Sequence, residues 1–319
     1  IFILKKMKLK KPKFWDYNQP NFISYLLLPL TIPLIINNFF LKFKKKKINN
    51  HKTKTICIGN IYLGGTGKTP LTIKIYQILN NLNFKTATIK KFYATHIDEQ
   101  KMLTEKTKLY CSKDRSVALG KAIKDNIDVV IFDDGLQDRV LDYNLKFVCF
   151  NNIKLIGNGQ LIPAGPLREK IQSITKYDAI FINGNEIDNS NFRSLIKEYN
   201  KNIKIFESCY RPTNVAEFNT NEKYLIFSGI GNPENFKEIL IKNKFNIVKE
   251  IIFPDHYNYT QIDIHRIKLQ AKNLNAKIIT TEKDYTKINI NQNNNIQFLQ
   301  VELNVVNEIE LVNYLKQNI

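Results

Sequence analysis

Cysteine is rare in this sequence, and the spacing of its few cysteines excludes one class of site. The four cysteines, Cys57, Cys111, Cys149 and Cys209, are far apart and form no Cys-x-x-Cys pair. This pattern argues against a structural zinc site and favours a reducing compartment. Cys57 and Cys149 lie in apolar, strand-like runs, so we expect them to be core residues.

Most of the chain is only mildly basic, although its formal net charge is +19 at pH 7. The excess charge is concentrated before residue 55 in two clusters: Lys5, Lys6, Lys8, Lys10, Lys11 and Lys13, and Lys42, Lys44, Lys45, Lys46 and Lys47. A nucleic-acid-binding protein more often spreads such charge over a folded face, so we expect no nucleic-acid partner. Clusters that flank an apolar stretch predict contact with an anionic membrane surface. We infer no obligate protein partner.

The apolar stretch 22–41 contains no charged residue and is close to the length of a membrane-spanning helix. Lysine-rich sequence follows it in place of a small-residue cleavage site, which argues against a signal peptide. Three interpretations of the stretch remain: a spanning helix, a broken helix in the membrane interface and a buried core helix. Pro29 and Pro33 would interrupt helical hydrogen bonding, so we favour the broken helix, with both ends on the cytoplasmic side. We assign residues 1–43 to this membrane-associating segment.

A phosphate-binding loop is predicted between a strand-like run, 55–59, and a helical pattern, 71–82. Glycines in the turn let successive backbone N–H groups point at phosphate oxygens, and the helix N-terminus adds positive potential. Lys68 is expected to reach the β- and γ-phosphates, and Thr69 to ligate Mg²⁺. Tyr62 stands where the motif usually has its first glycine. The residues expected to hold the nucleotide are Tyr62, Leu63, Gly64, Gly65, Thr66, Gly67, Lys68 and Thr69.

A second apolar run, 128–134, ends in two carboxylates. In phosphate-loop enzymes a neighbouring strand delivers an acid to the Mg²⁺ water shell, which predicts that role for Asp133. Asp134 would point to the other face or onto the loop. The alternative is an ordinary strand end, capped by aspartate before the turn at Gly135. The nearby phosphate loop favours the metal-site interpretation.

Position alone assigns no firm role to two further residues. Asp98 lies between the helix after the loop and the acidic strand, where an acid could reach the γ-phosphate and a substrate hydroxyl. His256 lies in a loop-like stretch, where a histidine is usually a surface residue.

Seven stretches follow one another along the chain: 14–15 (FW), 58–70 (IGNIYLGGTGKTP), 98–99 (DE), 132–137 (FDDGLQ), 157–169 (GNGQLIPAGPLRE), 253–260 (FPDHYNYT) and 280–284 (TTEKD). Together, and in this order, they resemble the tetraacyldisaccharide 4′-kinases, the lipid A 4′-kinases of Gram-negative bacteria. The fifth stretch is the most specific, because it has no general structural explanation. The resemblance covers nearly the whole chain.

The resemblance implies an enzyme that uses ATP and Mg²⁺ to phosphorylate the 4′-hydroxyl of a tetraacyldisaccharide 1-phosphate, a lipid A disaccharide precursor. It implies a location at the cytoplasmic face of the bacterial inner membrane. Asp98 and His256 match the family's acceptor-side base pair, which domain closure would assemble. The residues it implies near Mg²⁺, the phosphates and the nucleotide are Lys68, Asp133, Asp134, Gln137, Arg168, Glu169, Thr281, Lys283 and Asp284.

The sequence departs from the family pattern in three places. Lys90-Lys91-Phe92-Tyr93 stands where the family usually carries Ser-Arg-Gly-Tyr, and the stretch from there to Asp98 is short. Asp138 follows Leu-Gln, where the family usually has histidine. These departures leave the phosphate site untouched and concern the contacts with the acceptor.

Alternating strand-like and helical runs predict an α/β fold of two Rossmann-like, phosphate-loop NTPase domains with mostly parallel sheets. We place the kinase domain at 44–212 and a smaller domain, closing over the cleft, at 213–319, with a linker at 211–222. The further predicted strands are 86–90, 146–150, 179–183, 203–207, 224–228, 247–252, 277–281 and 296–301.

Two other functions share part of this pattern. A membrane-recruited ATPase of the partitioning or division type would carry a signature lysine before Gly-Gly, where this chain has Leu63. A membrane-anchored GTPase would carry an Asn-Lys-x-Asp base reader at a strand end, and the sequence contains no such motif. The sequence therefore favours the lipid kinase.

Overall fold

The structure is a computed structural model that describes residues 11–41, 53–93, 97–138, 140–184, 187–288 and 294–319. Two β-sheets organise these residues, and helices pack on their faces. The predicted α/β fold with mostly parallel sheets is confirmed. The second lysine cluster and most of the first lie outside the described residues, which include only Lys11 and Lys13 of the two clusters.

The larger sheet contains the predicted phosphate-loop strand at its centre. Its described strands are β1 (Lys54–Gly59), β2 (Thr86–Lys91), β3 (Leu109–Ser112), β4 (Val129–Asp133), β5 (Leu145–Asn151), β6 (Ala179–Asn183), β7 (Lys204–Pro212) and β12 (Val301–Val305). Their order is β12-β7-β6-β5-β1-β4-β2-β3, and only the β12–β7 pair is antiparallel. The central strands are buried on both faces, which explains their continuously apolar sequences.

The smaller sheet is parallel throughout its described strands. These are β8 (Lys223–Ser228), β9 (Asn246–Ile252), β10 (Lys277–Thr281) and β11 (Ile296–Leu299), in the order β11-β10-β8-β9. Its two faces carry separate apolar clusters. Tyr224 and Ile226 belong to one cluster, and Leu225 and Phe227 belong to the other.

The described helices are α1 (Phe22–Leu27), α2 (Ile32–Leu41), α3 (Lys68–Asn81), α4 (Ile97–Lys106), α5 (Arg115–Lys124), α6 (Ser190–Tyr199), α7 (Pro233–Lys242), α8 (Gln261–Asn273), α9 (Glu282–Tyr285) and α10 (Glu308–Asn318). Most of them pack on these sheets, whereas α1 and α2 do not. Helix α3 buries Leu71 and Ile75 against Ile56 and Ile58 of β1. This packing fixes the start of α3 at the carboxyl end of β1, where β1 lies between β4 and β5. Ligands of open α/β sheets bind at such a point.

The end of the chain corrects part of the predicted domain division. The predicted strand 296–301 is two strands, because the chain leaves the smaller sheet after Leu299 and enters the larger sheet at Val301. The residues of β12 and α10 therefore lie with the larger sheet, and assigning all of 213–319 to the smaller domain is wrong for them. The predicted linker is also shorter, because Arg211 and Pro212 belong to β7. The domain division otherwise stays a prediction.

The apolar N-terminal segment is a broken helix that lies against the 157–169 stretch. A 3-10 turn, Leu28–Thr31, separates α1 from α2 and contains Pro29. Within the described residues, no helix combines the length and the apolar character that crossing a bilayer requires. The segment is fixed by polar contacts: Trp15 Nε1 donates to the Pro163 carbonyl at 3.0 Å, and Asn158 Nδ2 donates to Ser24 Oγ at 2.9 Å.

Candidate active site

The phosphate loop has the backbone shape that its glycines predict. Gly67 precedes α3 with φ at +81°, a left-handed conformation that favours glycine. A Cβ atom there would lie 2.5 Å from the Tyr210 hydroxyl and 2.9 Å from Asn183 Nδ2. Asn183 also donates to the Thr66 carbonyl at 2.8 Å. The backbone at Gly67 therefore packs closely against Tyr210 and Asn183 as it enters α3. The N–H groups at the start of the helix face the cleft.

The residues just before this turn support the loop and lie away from the cleft. The Leu63 amide donates to the Pro166 carbonyl at 2.8 Å, and the Arg168 amide donates to the Ile61 carbonyl at 2.7 Å. The Tyr62 side chain is buried beside Leu161 and Leu167. The cleft lining instead begins at Gly65. Tyr62 and Leu63, predicted to hold the nucleotide, therefore connect the loop to the 157–169 stretch.

Two side chains form the predicted metal side of the site. Thr69 Oγ1 donates to Asp133 Oδ2 at 3.0 Å, and Asp133 is fully buried at the end of β4. The other carboxylate oxygen, Oδ1, is buried and has no hydrogen-bond partner among the described residues. Hydroxyl and carboxylate oxygens are ligands that Mg²⁺ prefers, and phosphate-loop sites complete the ion's coordination with phosphate and water. These two residues therefore fit a magnesium ion.

Lys90 is a residue of this region that sequence reasoning did not place in the site. It lies at the end of β2, opposite Asp133, and its Nζ is 2.5 Å from Asp133 Oδ2 and 2.7 Å from Glu99 Oε2. Burial lowers the pKa of Lys90, but the two carboxylates outweigh burial and raise it. This lysine stands where the sequence departs from the family's usual pattern, and its contact with Asp133 corrects the expectation that the departure leaves the phosphate site untouched.

Asp134 follows β4 on the loop side, with φ at +61°. Its Oδ1 is 4.0 Å from Lys68 Nζ and 3.6 Å from Arg168 Nη1. Burial would raise the pKa of Asp134, but these two cations, together with further positive neighbours, lower it. Gln137 accepts a hydrogen bond from Arg168 at 3.2 Å and donates one to Glu169 Oε1 at 3.3 Å. The predicted residues Lys68, Asp134, Gln137, Arg168 and Glu169 therefore form one connected group.

The structure brings Asp98 and His256 together, as the resemblance implied. Asp98 lies in the first turn of α4, and His256 follows the smaller sheet's strand β9. His256 Nδ1 is 3.2 Å from Asp98 Oδ1 and 3.1 Å from Oδ2. The residues are 158 positions apart in the chain. Asp98 and His256 meet only because the two sheets pack together. Their positions along the chain therefore could not reveal this contact.

Positive side chains surround Asp98. Lys283 Nζ lies 3.5 Å from its Oδ2, and Lys287 Nζ lies 3.4 Å from the same oxygen. Burial would raise the pKa of Asp98, but the hydrogen bond from His256 and these lysine charges hold it well below its usual range. Asp98 is therefore an ionised carboxylate, although it is only 5% exposed.

The 280–284 stretch positions this group of charges. Asp284 Oδ2 accepts hydrogen bonds from the Gly229 amide and the Thr281 hydroxyl, each at 2.8 Å. These bonds fix the short helix α9, which carries Lys283 toward Asp98 and Glu99. Thr281 and Lys283 also line the cleft, as the resemblance implied, whereas Asp284 is buried behind them.

An apolar part of the same cleft extends from the phosphate loop. Its walls include Tyr210, Ile230, Phe236, Ile239 and Val301, and it also contains Asn235. Asn235 is 8% exposed, and its side-chain oxygen has no hydrogen-bond partner among the described residues. The Gly229–Gly231 turn meets the loop: a Cβ on Gly65 would lie 3.1 Å from Gly231 Cα.

Comparisons with known proteins agree on one family. A family model described as tetraacyldisaccharide-1-P 4′-kinase matches residues 25–319. A tetraacyldisaccharide 4′-kinase of Pelagibacter ubique is 48% identical over 310 residues, which cover 97% of this chain and 98% of the relative. One of Rickettsia conorii is 33% identical over 326 residues, which cover 96% and 98%.

A solved structure shares the fold. It is described as an "apo" form of LpxK from Aquifex aeolicus in complex with ATP, and it matches with a TM-score of 0.69 at 20% identity. The match covers 93% of this chain and 99% of that chain. The arrangement of two α/β sheets is therefore common to both proteins.

Proposed function

The chain belongs to the tetraacyldisaccharide-1-P 4′-kinase family, and we propose that its cleft between Lys68 and His256 is where a phosphoryl group passes from ATP to a lipid A precursor. The observation that carries this proposal is that one cleft is lined by both the phosphate loop and Glu99. Glu99 adjoins Asp98, which contacts His256. Donor and acceptor groups therefore lie on opposite sides of one space.

On the donor side, the N–H groups of Gly65–Thr69 and the Lys68 ammonium bind the triphosphate of ATP. Lys68 and Arg168 are already held near Asp134, so both cations are ordered before the phosphates arrive. The adenine base occupies the apolar part of the cleft, against Phe236. The unpaired oxygen of Asn235 accepts a hydrogen bond from the adenine amino group.

Thr69 and Asp133 are the residues that would hold Mg²⁺. The bound ion supplies positive charge that offsets the charge developing on the phosphates. The chain contributes the geometry: the hydrogen bond from Thr69 to Asp133 fixes both oxygen donors before the nucleotide binds.

On the acceptor side, His256 takes up the proton of the 4′-hydroxyl and Asp98 orients the His256 ring. The lowered pKa makes Asp98 a weak final proton acceptor, so its role is to accept a hydrogen bond from His256 Nδ1 and orient the ring. Nε2 of His256 is then the atom that accepts the hydroxyl proton. The Glu99 and Asp255 carboxylates lie 3.7 and 3.9 Å from Nε2.

The N-terminal segment binds the membrane that contains the acyl chains, at the cytoplasmic face of the inner membrane. Phe22 is 80% exposed, Leu26 is 68% exposed and Leu30 is 61% exposed, so α1 and the following turn present an apolar surface. Asn38 of α2 donates to the Arg168 carbonyl at 3.1 Å. The segment therefore contacts the phosphate-site residues directly, and a sugar headgroup at the bilayer surface would lie near them.

The test is phosphoryl transfer by the purified chain. Supplied with ATP, Mg²⁺ and a tetraacyldisaccharide 1-phosphate in detergent, it is expected to form the 1,4′-bisphosphate, identified by mass and by ³¹P resonance. ATP hydrolysis that is independent of the acceptor, with nucleotide-dependent dimerisation, would instead support the partitioning-type ATPase. Absence of the bisphosphate, with a folded and ATP-binding protein, would overturn the proposal.

A further inference from the structure

Lys90 is a buried cation that the mechanism above does not use. Its side chain is 4% exposed, and its Nζ contacts Asp133 Oδ2 at 2.5 Å and Glu99 Oε2 at 2.7 Å. Asp133 is the proposed metal-site carboxylate, and Glu99 follows Asp98 in the first turn of α4. One ammonium group therefore joins the metal side of the site to the helix that carries the acceptor-side acid.

The Asp133 carboxylate is fully buried and the Glu99 side chain is 21% exposed, and two carboxylates this close repel each other unless a cation lies between them. Both oxygens approach the same nitrogen, so the gap that separates them is one that a single ion can fill. A divalent cation is the other common occupant of such a gap, because hard cations prefer carboxylate oxygens. In this chain the lysine already occupies it.

The two oxygens of Asp133 are used differently. Oδ2 accepts from both Lys90 and Thr69, whereas Oδ1 has no hydrogen-bond partner among the described residues. Lys90 therefore leaves one oxygen of Asp133 available to the magnesium ion that accompanies the nucleotide.

We propose that Lys90 is a resident cation that takes the place of a second divalent ion between Asp133 and Glu99. As a positioning residue it holds Glu99, and with it the first turn of α4, against the metal side of the site. Lys90 stands in the stretch where this sequence departs from the family's Ser-Arg-Gly-Tyr pattern. The inference rests on the proposed function, because it requires Asp133 to belong to the magnesium site.

The test counts bound ions. Lys90→Met removes the charge at similar length, and Lys90→Arg is the matched control that keeps the charge. With a non-hydrolysable ATP analogue, electron paramagnetic resonance of Mn²⁺ is expected to detect one ion per chain in the wild type and in Lys90→Arg, but two in Lys90→Met. In transfer assays, Lys90→Met is expected to be about tenfold slower than the wild type at low Mg²⁺ and to recover at high Mg²⁺.

Three results would decide against the inference or its premise. One Mn²⁺ per Lys90→Met chain, with an unchanged Mg²⁺ dependence, would overturn it. If Lys90→Met does not fold, the double variant with Lys90→Met and Glu99→Gln is used in its place. In the double variant, Glu99→Gln removes the repulsion between the carboxylates of Asp133 and Glu99. That double variant is expected to bind one Mn²⁺ and to gain nothing from high Mg²⁺, and binding of two would contradict the role of Glu99. A wild type that binds no Mn²⁺ with the nucleotide would overturn the proposed function itself.

Discussion

The two sides of the cleft are built in different ways. The donor side comes from one continuous stretch: β1, the glycine turn and the start of α3 follow one another, and Asp133 joins from an adjacent strand. The acceptor side is assembled from α4, the loop after β9 and α9, which belong to distant parts of the chain and to different sheets. A local motif can therefore bind the phosphates of the nucleotide within the larger sheet, whereas the Asp98–His256 pair exists only when both sheets are packed together.

The sharpest test of the donor side is removal of its lysine. Lys68→Met is expected to lower kcat for transfer by roughly a thousandfold, because the ammonium that contacts the transferred phosphoryl group is lost. Lys74→Met is the matched control, since Lys74 lies on the same helix and pairs with Glu308 at 2.8 Å outside the cleft. Initial rates at saturating ATP measure the effect. Equal losses in both variants would indicate damage to α3 in place of a phosphate contact.

The acceptor side is expected to be somewhat more tolerant. Asp98→Asn keeps the shape of the side chain but removes the charge that orients His256, and we expect a loss of roughly a hundredfold in kcat. Because the donor side is separate, binding of an ATP analogue, measured by calorimetry, should change little. Asp188→Asn, at an exposed site with a 75% exposed side chain, is the control. A variant that loses nucleotide binding and catalysis together would contradict the separation of the two sides.

The apolar part of the cleft connects the two sides through the nucleotide base. Asn235→Leu is expected to raise the KM for ATP about tenfold, because the amide that pairs with the base is lost. The same variant should discriminate less between ATP and inosine triphosphate, which lacks the amino group. Asn273→Leu, on the exposed end of α8, serves as the control. Unchanged discrimination would remove Asn235 from base recognition.

The membrane contact should matter less than the chemistry. Replacing Phe22 and Leu26 by serine is expected to lower partitioning onto anionic vesicles about tenfold, because two exposed apolar side chains no longer enter the interface. Turnover of a detergent-dispersed acceptor should fall much less. The control replaces Ile262 and Ile309, which are 73% and 75% exposed, by serine. Equal partitioning of both double variants would reject the N-terminal segment as the membrane contact.

The smallest expected effect is on stability at acid pH. The pKa of Asp98 is lower in the folded chain than its usual 3.8, so the stability that it contributes is present above pH 3.8 and is lost as pH falls below that value. Between pH 5 and pH 3, the free energy of unfolding should fall about 1 kcal/mol more in the wild type than in Asp98→Asn. Urea denaturation measures both. Parallel curves would show that the His256 hydrogen bond and the lysine charges do not stabilise the ionised carboxylate.

The different construction of the donor and acceptor sides explains how much of the site the sequence could predict. Strands such as Ala179–Asn183 and Lys277–Thr281, and the loop residues Lys68 and Thr69, follow from local apolar runs and glycine spacing. Resemblance to a family suggested the pairing of Asp98 with His256, which no local rule reaches across 158 positions. The contacts of Lys90 were missed for the same reason.

The chain end shows a second limit of local reasoning. The residues on either side of Gln300 are both strand-like, yet β11 and β12 pair with different sheets. Periodicity describes which residues are apolar along a strand but contains no information about which sheet the strand joins. For the same reason, the packing of the final helix α10 on the larger sheet could not be assigned from the sequence.

A crystal structure with Mg²⁺ and a non-hydrolysable ATP analogue tests the central claim most directly. We predict that the triphosphate lies along Gly65–Thr69, that Lys68 contacts the γ-phosphate, and that this phosphate faces the Asp98–His256 pair across the cleft. A triphosphate bound away from the loop, or a γ-phosphate turned from His256, would contradict the account.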